Sequence, residues 1–314
     1  MSDGDVLLSI IILNWNGLAD TLACLESLAA CDVAGAKLQL LVIDNASASN
    51  PSEAITTRFP AVEVVCSSRN LGFAGGCNLG IERALQAGAD YVLLLNNDTV
   101  VAPDFLAQLL AYAQQNPRAG IVAPLICEAD RPEYVQSRGG RVLLALGQAY
   151  HCDSGQLRSH VSAIPSSVGY ASGCCMLIPA HMLRATGGFA ELFFAYFEDV
   201  DLSLRVQRLG YETVCVPTSV IWHKESASTR RGLSEGTTSA LKHYLLMRNR
   251  IATVRRNGRW WEQLCFFACA LPAIVLFYLG AFAALRRWRK LVWFVRGLLH
   301  GLQARLGRPL PEAT

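Results

Sequence analysis

Five apolar runs punctuate the first 130 positions of the chain: LLSIIIL from Leu7, LQLLVI from Leu38, VEVVC from Val62, YVLLL from Tyr91 and GIVAPLI from Gly120. Each is short enough for a strand and apolar on consecutive positions, as strands covered on both faces are. The stretches between them show helical spacing and small residues. That alternation predicts βαβ units and an α/β class, with a mainly parallel, Rossmann-like sheet covered by helices. Between Asp130 and Pro165 the pattern loosens, which predicts an irregular or antiparallel insertion. Regular patterning returns with VGYASGCCMLIPA, a helix from about Glu198 to Leu209, and a strand pair at ETVCV and SVIWH.

The pattern changes after residue 224. Residues 225–239 (ESASTRRGLSEGTTS) are rich in Ser, Thr and Gly and read as a linker or loop. Leu264 to Leu285 is then a run of 22 residues without a charge, preceded by Arg255, Arg256, Arg259, Trp260 and Trp261 and followed by Arg286, Arg287, Arg289 and Lys290. It is long enough to span a bilayer, and Trp and Arg at its flanks suit an interface. Pro272 inside the run removes one helix hydrogen bond, so a kinked or re-entrant hairpin is as consistent with it as a straight span. The following KLVWFVRGLLHGLQARLGR reads as a basic amphipathic helix in the interface.

Charge sharpens this division. The chain as a whole carries +3, but residues 1–241 hold 15 basic and 23 acidic side chains, a net of −8, and residues 242–314 hold 13 and 2, a net of +11. A basic tail bracketing an apolar run points to an anionic membrane surface and away from nucleic acid, which would call for a solvated basic stripe. Eleven cysteines without a Cys-x-x-Cys pair, and an acidic MSDGD start, place the expected compartment in the cytosol. Cys174 and Cys175 lie inside an apolar run and are expected to be core residues.

In parallel α/β sheets ligands bind beyond the carboxyl ends of the strands. Asn14, Trp15 and Asn16 follow the first run, Asp44 and Asn45 the second, and Asn96, Asn97 and Asp98 the fourth. Any one of these could be turn chemistry, but their recurrence at one sheet edge predicts a shared ligand. In SSRNLGFAGGCNLGIERAL, Gly72, Gly75 and Gly76 would let backbone approach that ligand, and a helix beginning near Gly75 would offer amides to a phosphate. Arg69 stands ahead of this loop. In FFAYFEDVDLSLR, helical spacing puts Asp199 on the inward face with Leu202 and Val206, and Asp201 with Arg205 on another. His223 ends an apolar strand as Asp98 does, and the two form a plausible pair for Mg²⁺ or Mn²⁺. No Gly-x-Gly-x-x-Gly or Gly-x-x-x-x-Gly-Lys fingerprint is present.

The motifs SIIILNWNG, LLVIDNAS, NLGFAGGCNLGI, LLLNNDTVV, SGCCMLIP, GGFAELFFAYFEDVDLSLR and VIWHKES, in this order, resemble family 2 glycosyltransferases of the GT-A fold, in particular the bacterial rhamnosyltransferase-like branch. The resemblance covers about residues 7–225 and is weaker in HYLLMRNR. It implies a GT-A catalytic domain over 1–235, a helical membrane-associated region over 236–314, and inverting transfer from a nucleoside diphosphate sugar. The first donor expected is dTDP-rhamnose and the second a UDP-sugar, with a glycan or lipid-linked acceptor at the cytoplasmic face of a bacterial inner membrane, in cell-surface polysaccharide synthesis.

Carried over by position, Asp44 would bind the pyrimidine beside Asn14 and Arg69. Gly75, Gly76 and Asn78 would lie near ribose or diphosphate. Asn96-Asn97-Asp98 takes the place of the metal motif, with Asn where the family's first acid stands, leaving Asp98 and His223 as metal ligands and Asn97 beside the donor. Asp199 would be the base, while Gly173, Glu198 and Trp222 would border the sugar and acceptor. Two alternatives stay open at this point. One is a nucleotidyltransferase, although its Lys-bearing Gly-rich loop is missing; the other is a scaffold that binds a nucleotide sugar without turnover.

Overall fold

The computed structural model describes residues 6–224 and 239–303. Most of the Ser/Thr/Gly-rich linker, the expected domain boundary at 235 and the extreme C-terminus from 304 lie outside the described residues.

Strands β1 (Leu7–Asn14), β2 (Lys37–Asp44), β3 (Val62–Cys66) and β4 (Tyr91–Asn96) alternate with helices α1 (Leu18–Ala29), α2 (Ser52–Arg58) and α3 (Gly72–Gln86). After β5 (Thr99–Val101) come α4 (Phe105–Gln115) and β6 (Ala119–Glu128), and the insertion supplies β7 (Val135–Ser137) with a hairpin of β8 (Gly140–Leu143) and β9 (Gln148–His151). The chain continues through β10 (Ser166–Ser167), β11 (Cys175–Pro179), α5 (Ala180–Thr186), α6 (Glu198–Arg208) and β12 (Glu212–His223). The main sheet runs β10-β12-β6-β11-β4-β1-β2-β3, with β5 on β12 and β7 on β6. Pairs β1–β2, β1–β4, β2–β3 and β6–β12 are parallel, whereas β11 is antiparallel to both β4 and β6.

The consecutive apolar positions cover both faces, as expected. Along β1, Leu8, Ile10 and Ile12 join one cluster with Leu25, Phe105 and Leu109, while Ile11 joins the other with Ala74, Ile81, Leu202 and Val206. Successive side chains point to opposite faces, so a strand with helices on both sides must be apolar at every position. One expectation is corrected: ETVCV and SVIWH are a single strand, β12, whose register to β6 shifts between Val216 and Val220. A local irregularity around Pro217 absorbs the turn-like residues without breaking the strand.

The C-terminal part is helical: α7 (Ala240–Asn257), α8 (Trp260–Cys265), a wide turn over Phe266–Ala270, α9 (Leu271–Ala284) and α10 (Trp288–Leu302). Trp260–Ala284 is one continuous apolar helix. The wide turn just ahead of Pro272 accommodates the proline's missing hydrogen bond without ending the helix. A short turn, with Arg286 at φ +51°, redirects the chain into α10. Phe266, Leu271 and Phe282 pack on Met247, Ile251 and Val254 of α7 and Phe294 of α10, but Trp260, Leu276 and Phe277 are 78%, 70% and 68% exposed. The amphipathic α10 departs from expectation. Its Trp293, Phe294, Gly297 and Gly301 are buried, with Gly297 directly against the Tyr244 backbone, so much of its apolar face is used inside the protein.

Candidate active site

The parallel register places the last residues of three strands on one edge, with Asn14 opposite Asp44 and Leu13 opposite Asn96. Asn14 is buried. Its amide donates to Asp44 Oδ1 (2.7 Å) and Ser47 Oγ (3.2 Å), and its Oδ1 accepts from the Gly17 amide (3.2 Å) and the Thr21 hydroxyl (3.0 Å). The Ser47 hydroxyl and amide donate to Asp44 at 2.6 and 3.1 Å. Asn14 is therefore a bracket that fixes Asp44, and a carboxylate with three donors still has capacity for a ligand. Trp15 stands half exposed beside them, and Arg69 is exposed on the β3–α3 loop.

The glycine loop differs from expectation. Helix α3 begins at Gly72, ahead of Gly75. The Gly72 amide donates to Asn70 Oδ1 (2.8 Å) and the Ala74 amide to the Phe194 carbonyl (3.1 Å), so these two amides of the helix start already have protein acceptors. A Cβ on Gly76 would sit 2.5 Å from Leu13 Cδ1, and one on Gly75 2.9 Å from Leu71 Cβ; both glycines permit close packing. Asn78 exchanges hydrogen bonds with the Phe189 backbone at 2.9 Å in each direction and donates to Glu191 (3.2 Å), bracing the segment that leads to α6.

At the end of β4, Asn97 donates to the Gly17 carbonyl (3.2 Å) and Thr21 Oγ1 (3.0 Å), which anchors the turn to α1. Asp98 is buried, its Oδ1 is 3.1 Å from His223 Nε2, and its Oδ2 has no hydrogen-bond partner among the described residues. Antiparallel pairing of β5 with β12 brings His223 opposite Thr99 and so beside Asp98. His223 Nδ1 lies 2.9 Å from Gln136 Oε1, a partner on β7 that the sequence reading did not identify. With Nδ1–H donating to Gln136, Nε2 faces Asp98 and donates its proton to that carboxylate, and a cation held between the two side chains would take that proton's place. Burial opposes charge on this ring, while Cys174 and Asp98 favour it and carry its pKa up to about 11. A buried carboxylate oxygen without a donor, next to an oriented imidazole, fits a divalent cation. Among the described residues no group of three or more His, Cys, Asp and Glu is placed to hold a metal ion, so Asp98 and His223 would be the carboxylate and imidazole that hold it.

The acidic cluster reaches the same edge by another route. The Asn96 amide donates to the Cys174 carbonyl (2.8 Å), tying the start of β11 to the end of β4. The neighbouring Gly173 amide donates to Asp199 Oδ2 at 3.0 Å. The helical-wheel expectation needs correction here. Asp201 is the fully buried acid, held by Arg205 (2.8 Å), Arg256 (3.2 Å) and Asn257 (3.0 Å), whereas Asp199 is only partly buried. Burial raises the Asp199 pKa, and the amides of Gly173 and Val200 with His151 hold it back. Glu198 is buried with Oε2 unpartnered; burial, and then the Asp199 charge, push its carboxyl well above the usual range. Trp222, next to His223, donates its indole N–H to the Pro132 carbonyl (3.3 Å).

Comparison with known proteins gives a consistent picture. The family model described as "Glycosyltransferase like family 2" matches residues 6–260. The chain is 30% identical over 247 residues to an N-acetylglucosaminyl-diphospho-decaprenol L-rhamnosyltransferase of Mycobacterium tuberculosis, covering 72% of this chain and 77% of the relative. It is 24% identical over 203 residues to the dTDP-rhamnosyl transferase RfbF of Shigella flexneri, covering 62% and 64%. Among solved structures, the mannosyltransferase PcManGT of Pyrobaculum calidifontis, in complex with GDP-Man and Mn²⁺, superposes with a TM-score of 0.58 at 16% identity, covering 96% of this chain and 89% of that one. GalNAc-T7 with UDP, GalNAc and Mn²⁺ gives 0.63 at 15% identity, covering 98% and 60%. At such identities the likeness is one of fold.

Proposed function

Because the chain belongs to glycosyltransferase family 2 and has the GT-A fold, we propose that it transfers a sugar with inversion from a nucleoside diphosphate sugar to a hydroxyl of a lipid-linked glycan. The donor is dTDP-rhamnose in first place and a UDP-sugar in second. The observation that carries this reading is the convergence on one sheet edge of a buried Asp98 with an unpartnered oxygen beside His223, and of Asp199 tied to Gly173. The rhamnosyltransferase relatives support the choice of sugar, and the mycobacterial relative's diphospho-decaprenol substrate supports a lipid-linked acceptor.

Asp44, fixed by Asn14 and Ser47, binds the base, with Arg69 at the rim of that subsite. Asp98 and His223 hold a divalent cation, Mg²⁺ or Mn²⁺, whose charge would offset that of the leaving diphosphate. Asp199 takes the proton from the acceptor hydroxyl as that oxygen attacks the anomeric carbon. A single base suffices for inversion, since no covalent glycosyl intermediate forms. Gly173, Glu198 and Trp222 border the sugar and acceptor.

Catalysis belongs to residues 1–235 and membrane association to 236–314, with α7 touching both. The exposed Trp260, Leu276 and Phe277 and the exposed Arg286, Arg287 and Arg289 seat the protein on the cytoplasmic face of a bacterial membrane. The test is a thermal-shift series with dTDP-rhamnose, UDP-sugars and purine nucleotide sugars, with and without Mn²⁺, followed by a transfer assay on a lipid diphosphate glycan. Mass action should stabilise the protein with the true donor. No stabilisation and no nucleotide release with any sugar nucleotide would overturn the reading.

A further inference from the structure

The backbone just ahead of Glu198 and Asp199 is held in an unusual form. Phe194, Tyr196 and Phe197 all have positive φ, at +64°, +69° and +74°. Side chains with a Cβ rarely adopt this region, and such conformations persist only where the surroundings impose them. Phe197 is also the residue at the N-terminal cap of α6, so its conformation sets where the first turn of that helix points.

What imposes it comes from some fifty residues downstream. Asn249, fully buried in α7, directs its amide nitrogen at the carbonyls of Phe193 (2.9 Å), Ala195 (2.8 Å) and Tyr196 (2.8 Å). Arg248, 1% exposed, donates to the carbonyls of Leu192 (2.9 Å) and Phe193 (2.8 Å) and through Nε to Asn249 Oδ1 (2.9 Å). That last bond orients the amide so that its nitrogen faces the loop. Lys242 lies over the Tyr196 ring at 5.5 Å. One helical turn pair further on, Arg256 and Asn257 grip Asp201 of α6 itself. A strained, non-repetitive loop has carbonyls that no helix or sheet satisfies, and here the donors are two buried side chains.

We infer that Arg248 and Asn249 are positioning residues for the transfer reaction: they hold the Leu192–Phe197 loop in its left-handed form and thereby place the Asp199 carboxylate at Gly173. This rests on the assignment of Asp199 as base. It also gives α7, the helix that carries both residues, a part in catalysis beyond supporting the membrane-facing helices. Helix α10 is packed on α7 through Gly297 and Gly301, and Arg255 of α7 donates to the carbonyls of Gly301 and Leu302 (2.9 and 2.8 Å). The apolar hairpin and the catalytic loop thus share one supporting helix.

The experiment compares the full-length wild type with Asn249→Ala, Asn249→Asp, Arg248→Lys and, as a control that loosens α10 without touching the loop, Arg255→Ala. Misplacing a catalytic group by about 1 Å can cost on the order of a hundredfold. Asn249→Ala should therefore lower kcat at least tenfold, with donor KM within about threefold, and Asn249→Asp, which turns a carboxylate on three carbonyls, should lower it more. Arg248→Lys keeps the charge and should be milder, and Arg255→Ala should leave kcat near wild type. Hydrogen exchange of peptides covering residues 190–200 is read in parallel, and does not depend on any assay of transfer. Faster exchange there in the Asn249 variants, with the rest of the sheet protected, is the expected result. Unchanged exchange over 190–200, or kcat of the folded fraction equal to wild type, would overturn the inference. A wild type that turns over no sugar nucleotide would instead refute the proposed function, while the exchange result would still decide whether the clamp exists.

Discussion

The Gly173 amide donates to Asp199 Oδ2 at 3.0 Å, joining the turn before β11 to the first turn of α6. The contact fixes one carboxylate oxygen and leaves the group only partly buried at the sheet edge. A Cβ on Gly173 would lie 3.2 Å from the Phe73 ring, a tight contact, and 3.6 Å from Asp199 Cβ, an ordinary one, so the crowding at this position comes from Phe73.

Asp199→Asn keeps the shape and can still accept from Gly173 but cannot take a proton. Transfer should fall by at least about a thousandfold while donor affinity stays within a few fold, the pattern of a group acting only in the transition state. Steady-state kinetics together with donor binding measure both, and retention of a tenth of wild-type turnover would remove Asp199 from the role.

Glu198 should behave as a neutral residue. Its folded pKa is raised, so the folded state holds a proton that the unfolded state releases across the window between the ordinary carboxylate range and the raised value. The stability contributed by the neutral carboxyl is present below that window and is lost as pH rises through it. Glu198→Gln should retain transfer within about threefold at neutral pH and flatten the decline of the melting temperature with rising pH. Parallel melting curves against pH for the two proteins give the answer; identical slopes would mean that Glu198 is already ionised.

Asp98→Ala and His223→Ala should each weaken metal-dependent donor binding, and the double variant should lose little more than the worse single one, because both act through one ion. Gln136→Ala, which frees the imidazole, should raise the Mn²⁺ concentration needed for donor binding by about tenfold or more. Titration of Mn²⁺ against donor binding separates these cases. Full additivity, or binding indifferent to chelator, would exclude a shared cation.

Membrane seating is best probed by surface substitutions, because truncation at Gly258 would remove α10 and uncover the face of α7 that carries Tyr244, Met247 and Ile251. Replacing Trp260, Leu276 and Phe277 with Ser removes exposed apolar area without touching that packing. Wild-type protein should stay with anionic vesicles in high salt, since apolar burial outlasts screened charge, and the triple variant should be released. Equal vesicle binding by both proteins would show that this helix face does not enter the membrane.

The alternating apolar runs determined the doubly covered sheet, because strand and helix periodicities are written in neighbouring residues and need no partner to be read. The sheet edge was legible for the same reason: a strand that stops at Asp44, or at Asn96 just ahead of Asp98, announces a polar end. Whether Asn14, Asn97, Gly75 and Asn78 face a ligand or brace the scaffold was not legible, since either use calls for the same residue types, and their hydrogen-bond partners are set by how α1, α3 and the segment before α6 dock. The tertiary structure alone decided that Asp201 is the wholly buried acid and Asp199 the one at the edge, because Arg256 and Asn257 reach Asp201 from a helix some fifty residues away. It alone decided that Asn249 holds the loop at Phe193–Tyr196, for a carbonyl's partner depends on what folding brings within 3 Å of it.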